Sequence, residues 1–413
     1  MFSRRQFLTH SLKGSSLVAL SPMVPQFVSR TAQAATPGKD TILVVLEMTG
    51  GNDGLNTVIP YADDLYHKAR PTLRQTKDVV IRLDDHVGLH SGMQGFRPMW
   101  EKGQLAVVQG VGYPNPERSH FEAMDIWQSA DIHASRTGWL GRAAVETDNR
   151  AGGVPILHLG PNRQPLALAG APGGGAVTVN DQNSFRLELN GGKVAQQKAR
   201  RKLMEELAAP APVKTGDDDL ASFVQRRQVQ TLTAVETLRS LLEGPNALPR
   251  QGGGLSQNLQ LVAGLIAKDF GTRIFYVSLE GFDTHAGQGP AHSSLLADLA
   301  NSISGFFQTL KTTGHDSRVR LMTFSEFGRR VQENGSRGTD HGAASCLFVA
   351  GPSIKGGVVG KHPSLADLDA GDLKFHTDFR RVYATQLDGW LGCDSRAVLG
   401  TKWDHVNKLE TKA

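Results

Sequence analysis

Six short runs along the chain are apolar at nearly every position, at residues 42–46, 105–109, 154–159, 273–279, 318–323 and 346–350. A strand that is apolar on both alternating sets of positions must be covered on both faces, which is how strands of parallel sheets read. Each run is followed by turn residues and then by apolar positions at helical spacing. This alternation predicts an α/β fold, doubly wound, with a central, mostly parallel sheet sandwiched between helices.

The texture changes between the third run and the fourth. Residues 171–175 are rich in glycine, and 194–208 and 218–242 show helical periodicity, the latter opened by Asp217, Asp218 and Asp219. Gly252, Gly253 and Gly254 then lead into a further helix expected over 255–269. Two readings stay open for 160–250: an inserted helical subdomain or lid, or helices that cover one face of the sheet. Near the end, 377–391 reads as a packing helix with Thr377 or Asp378 as N-cap and Gly392 just past its last turn.

The first 34 residues have another purpose. Arg4 and Arg5 form a twin-arginine pattern, followed by a mildly apolar stretch at 15–24 and by Ala32-Gln33-Ala34, an A-x-A cleavage site. The stretch is interrupted by Ser21 and Pro22 and is shorter than the roughly 20 residues a membrane span needs. The leader therefore predicts export through the twin-arginine translocon to the periplasm or beyond, with no stable membrane anchor. Residues 35–413 are left as the mature domain.

Charge reads differently once the leader is set aside. The net charge of +5 comes from 45 basic and 40 acidic residues, and the leader holds Arg4, Arg5, Lys13 and Arg30 with no acid. The remainder is close to neutral and shows no basic stripe, so nucleic acid is not an expected partner. Cys346 and Cys393 allow a disulfide in an oxidising compartment, but Cys346 sits in an apolar run and reads more simply as a buried thiol.

In a parallel sheet, ligands gather beyond the carboxyl ends of the strands, so the residues following each run carry the functional signal. Asn52, Asp53 and Asn56 follow the first run, and Glu117, Ser119 and His120 follow the second. Asp283 and His285 follow the fourth and Glu326 and Arg329 the fifth, while Asp340 and His341 come shortly before the sixth. Asp283 and His285 are two apart, so extended backbone points both side chains the same way, as ligands of one ion would be. Each signal has an ordinary structural alternative: a turn Asp, a surface His, or Glu326 paired with Arg329. Ser119 with Glu122 matches the S-x-x-E capping box, and a hydroxyl at a helix N-terminus is also well placed as a nucleophile. A joint set of carboxylates and imidazoles suits one or two divalent ions, zinc or manganese first.

Taken together, the leader and the segments GGNDGLNTVIPY, GYPNPERSHFEA, GFDTH, SEFGR, GTDHG and DFRRVYATQLDGWLG resemble a family of exported bacterial proteins of unknown function grouped with the alkaline phosphatase and sulfatase superfamily. The resemblance implies an alkaline-phosphatase-like fold with a metal-centred site at the strand ends, normally holding two ions. It implies Asp283, His285 and His341 as ligands of one ion, Asp53 and Glu326 as ligands of the other, and Ser119 as nucleophile. The superfamily's adjacent Asp-His pair is here Glu326-Phe327, and its C-x-P-x-R or S-x-P-x-R motif is absent.

The leading expectation is thus an exported metal-dependent hydrolase of phosphate or sulfate esters, acting on a small molecule or a polymer. Ser119 or a metal-bound water would attack a clamped anion. His120 and, beside it, His90 are candidates for general acid or extra ligand, and Asn52, Asn56 and Arg329 for substrate contacts. The rival is a non-catalytic exported binding protein that keeps the fold and one ion.

Overall fold

The computed structural model describes residues 40–133, 135–147, 156–160, 164–170, 176–179, 254–407 and 409. The leader and the expected helices at 194–208 and 218–242 lie outside the described residues.

The six expected strands are present, within a nine-stranded sheet. Its members are β1 (Ile42–Thr49), β2 (Leu105–Gly112), β3 (Ile156–Leu159), β4 (Ala176–Val179), β5 (Ile274–Glu280), β6 (Val319–Phe324), β7 (Ser345–Ala350), β8 (Gly357–Val359) and β9 (Thr377–Asp378). They lie in the order β8-β2-β7-β6-β1-β5-β3-β4, and β9 also pairs with β2. β1 is parallel to both its neighbours, with Leu46 opposite Val277 and Thr323.

Alternation along the strands separates two cores. On one face, Val44 and Leu46 of β1, Phe275 of β5 and Phe348 of β7 join α4 (Leu255–Ala267) and α5 (Gln288–Thr312). On the other, Leu43, Val45, Tyr276 and Leu347 meet α2 (His120–Ser129), α3 (Trp139–Glu146) and α6 (Phe379–Gln386). Each such side chain removed from water contributes roughly 1.5–3 kcal/mol. The fold is accordingly a mixed α/β sandwich with helices on both faces. A short turn of helix, α1 (Gly54–Thr57), begins directly after the first strand-end loop.

The terminal helix follows the sequence closely. The Asp378 side chain accepts from Arg380 N–H at 3.0 Å, and the helix continues as a wider turn over Leu387–Leu391 before Gly392 at φ 70°. Cys346 belongs to one core and Cys393 to the other, and both are free and buried. Among the described residues no helix is long and apolar enough to cross a membrane.

One strand direction matters for the site. β7 runs antiparallel to β2 and β6, so its N-terminal end lies with the carboxyl ends of the others. The loop 338–342 that precedes β7 therefore reaches the same edge as the loops that follow β1, β2, β5 and β6.

Candidate metal centre

Backbone contact holds these loops together before any ligand is considered. Gly50 and Gly51 adopt φ values of 117° and 73°, a region closed to most side chains. A Cβ on Gly50 would stand 2.5 Å from Asp283 N, and one on Gly51 2.2 Å from the Phe327 ring. Arg329, fully buried, threads through the space so formed. It donates to the carbonyls of Gly50, Gly51, Phe282 and Thr339 and, at 2.7 Å, to Asp283 Oδ1. Three strand-end loops are thereby tied to one guanidinium.

Above this brace four side chains converge. Asp283 Oδ1 lies 3.0 Å from His285 Nε2, 3.4 Å from His341 Nε2 and 3.5 Å from His120 Nε2, and the two nitrogens of His285 and His341 are 2.9 Å apart. The ligand atoms of His120, Asp283 and His341 all fall within 4.8 Å of one another. Metal–ligand bonds of about 2.0–2.1 Å in a tetrahedron put the ligand atoms about 3.3 Å apart. The observed spacings bracket that value.

The far nitrogens of the rings are all anchored on acceptors. His120 Nδ1 meets Glu326 Oε1 at 2.9 Å, His341 Nδ1 the Arg118 carbonyl at 2.8 Å, and His285 Nδ1 meets Asp340 Oδ1 at 3.4 Å. A neutral imidazole carries one N–H. With each proton committed to its Nδ1 acceptor, the Nε2 lone pairs of His120 and His341 face Asp283 Oδ1, and that of His285, beside the same oxygen, accepts from Arg329 Nη1 at 3.4 Å. His120 Nε2 is buried with no hydrogen-bond partner. Letting His285 donate to His341, or the reverse, would turn a bare Nδ1 toward Asp340 or toward a carbonyl. Only His120 Nε2 is left buried without a partner; a cation among the Nε2 atoms would satisfy it, and carboxylates or carbonyls behind each ring are what orient metal-bound histidines.

Electrostatics agrees. Asp283, Glu326 and Asp340 stand within hydrogen-bond reach of the imidazoles against the guanidinium of Arg329. Partial burial pushes the Asp283 carboxyl up, but Arg329 outweighs it and holds it below the usual range. The Glu326 carboxylate raises the affinity of His120 for a proton, whereas burial lowers that of His341.

Of the expected ligands, Asp283, His285 and His341 are brought together, and His120 joins them. Glu326 is placed one layer back: Oε1 accepts from His120 and, at 2.8 Å, from Gly50 N–H, while Oε2 accepts from Ser325. Asp53 stays out of the cluster. It is fully buried, held by Arg70 at 2.5 and 3.0 Å and by Gln288 Nε2 at 2.5 Å, so its oxygens serve an internal ion pair rather than an ion at the edge. Burial alone would raise its pKa, and Arg70 brings it down to about 2. The pair expected to hold a second ion is therefore separated into two structural roles.

The side chains expected to contact substrate have partners within the protein. Asn52 Oδ1 accepts from Thr57 and His292, Asn56 bridges Leu73 and Tyr66, and the Arg329 donors are spent on the loops. His90 is buried against Gln75 and His292, with its pKa pushed down to about 4. Ser119 takes the N-cap position of α2, yet its side chain makes no cap bond, so the S-x-x-E pattern is not a closed capping box here. Its hydroxyl stands half-exposed, one residue from His120.

Four contributors escaped the sequence reading: Arg70, Asp340 as the support of His285, the Arg118 carbonyl, and Phe327. The Phe327 ring packs 4.9 Å from His120 and 4.7 Å from His341, centre to centre. It fills the place where the pattern led one to seek an imidazole. GTDHG contained the only signal for Asp340, as a carboxylate next to a ligand histidine.

Comparison with known proteins adds a family and a fold likeness. Residues 40–401 match the family described as Protein of unknown function (DUF1501). No curated protein matches. Among solved structures, the chain is similar to the lipoteichoic acid synthase LtaP from Listeria monocytogenes, at 8% identity and TM-score 0.37 over 91% of this chain and 75% of that one. It is likewise similar to the PsFucS1 sulfatase from Pseudoalteromonas sp., at 10% identity and TM-score 0.37 over 90% and 73%. A protein in the alkaline phosphatase superfamily from Vibrio parahaemolyticus gives 7% identity and TM-score 0.35 over 78% and 62%. Likeness at this level carries no chemistry; that rests on the side chains.

Proposed function

The chain belongs to the DUF1501 family, and from that premise we propose that it is an exported, metal-dependent hydrolase of phosphate or sulfate esters. The observation that carries the reading is the convergence of three imidazole Nε2 atoms and Asp283 Oδ1, with each Nδ1 turned away onto an acceptor. His120, Asp283, His285 and His341 would hold one divalent ion, and three nitrogens with one oxygen favour zinc over manganese. When bound, such an ion neutralises charge on an ester anion and acts as a Lewis acid.

The chain's own groups complete the site. Glu326, Asp340 and the Arg118 carbonyl fix the rings, and Arg329 fixes the loops. Ser119, free of capping and set at the N-terminus of α2, offers its hydroxyl as nucleophile where helix N–H groups favour an anion. The leader supports export through the twin-arginine translocon to the periplasm or outside.

A second reading, a binding protein with one ion and no turnover, is favoured by the commitment of Asp53 to Arg70 and by Phe327 beside the histidines. Assay of the mature, metal-supplemented protein on aryl phosphates and aryl sulfates separates the two. The hydrolase reading expects turnover that falls at least about 100-fold in Ser119→Ala and disappears in Asp283→Ala/His341→Ala. Bound metal with no turnover on any ester leaves the binding protein.

A further inference from the structure

Beside the candidate centre lies a cavity of about 480 Å3 lined by segments 112–118, 343–344 and 369–375. Its wall is shared with the centre. Arg118 lends its carbonyl to His341 and its side chain to the lining, and Ala343, two residues after His341, lines it as well. The cavity thus lies on the Nδ1 side of His341, within one residue of Ser119 along the chain, and its volume is in the range of small-ligand pockets.

The lining specifies what that body is. Phe375 offers an exposed apolar ring, while Trp127, stacked on Phe379 and Phe324, closes the floor with its edge. Around them Arg118 and Lys374 face Glu117, Asp369 and Asp372, a set close to charge balance. Arg118 is paired with Asp372, and Lys374 is paired with Asp367 outside the cavity, whereas Glu117 and Asp369 line it with no ion pair among the described residues. An alkyl body would strip water from these polar groups and give nothing back. A strongly anionic body would meet three carboxylates, and a strongly cationic one Arg118 and Lys374. A neutral body rich in hydroxyls, with a C–H face to lay on the Phe375 ring and O–H groups to donate to the carboxylates, satisfies both kinds of surface.

We propose that this cavity is the subsite for a polyhydroxylated, sugar-like alcohol half of the ester; the proposal rests on the hydrolase reading for its link to turnover but not for binding. Two measurements on the mature, metal-loaded protein keep the two apart. Saturation-transfer NMR with methyl α-glucoside as probe, and 1-hexanol as the apolar control, should show transfer to the glucoside, weakened in Glu117→Ala and in Phe375→Ala. Steady-state kinetics with glucose 6-phosphate and glucose 6-sulfate against the hexyl esters should show kcat/KM favouring the sugar esters by about tenfold or more, a ratio that shrinks in both variants. Each variant should keep the metal content of the wild type, which excludes a general loss of folding. Transfer to hexanol but not to the glucoside overturns the subsite, as does turnover without preference for the sugar esters. Glucoside binding that depends on Phe375 with no turnover on any ester supports the subsite and removes the hydrolase reading instead.

Discussion

At the scale of single residues, the centre is defined by what stands behind the ligands. Glu326 does not converge on the other Nε2-facing atoms, but it accepts from both His120 and Gly50. Replacing it with Gln keeps the shape and removes the charge that fixes the His120 tautomer. Glu326→Gln is expected to weaken zinc binding about 10–100-fold with the fold retained, as read by competition against a chromophoric chelator and by circular dichroism. Asp53 marks the opposite case. Asp53→Asn should leave metal content unchanged and cost about 3–5 kcal/mol in urea unfolding, because Arg70 would be left buried without its partner. The sign of the pH dependence follows from a pKa lowered in the folded state to about 2. The stabilisation from this pair is present above the unfolded carboxyl pKa of about 3.9 and is lost as pH falls through the window down to about 2. Loss of metal in Asp53→Asn would return this residue to the ligand set.

At the scale of elements, what could be read from the sequence was what repeats locally. Strands apolar on both faces declare a covered sheet, and Asp378 and Gly392 delimit a helix whose cap and terminal turn the structure bears out. The GGNDGLNT stretch shows where local reading stops. Its carboxylate looked like a ligand because it follows a strand, yet the partner that claims it, Arg70, lies 17 positions on in a segment without a strand-end pattern. The two glycines carry the functional part, by bringing the β1 loop against Asp283 and Phe327. Gly51→Ala places a Cβ 2.2 Å from the Phe327 ring at φ 73°, so thermal unfolding should reveal a loss of about 1–3 kcal/mol. An unchanged melting temperature would mean that the loop is not held as described. Likewise S-x-x-E has the spacing of a capping box, but whether the hydroxyl turns inward depends on the chain path before it, which no four-residue motif encodes.

At the scale of the whole molecule, topology turns scattered residues into one site. The sheet places the loops after β1, β2, β5 and β6 at one edge, and the reversed direction of β7 adds His341 to them. Three carboxylates and three imidazoles in that space, against one guanidinium, make an arrangement that the proposed ion would stabilise. The most direct measurement is the divalent-metal content of the folded, mature protein after metal supplementation and desalting, by plasma mass spectrometry. The account predicts about one equivalent of zinc per chain, absent from Asp283→Ala/His341→Ala and retained in Asp53→Asn. A folded wild-type protein that retains no stoichiometric metal would contradict it.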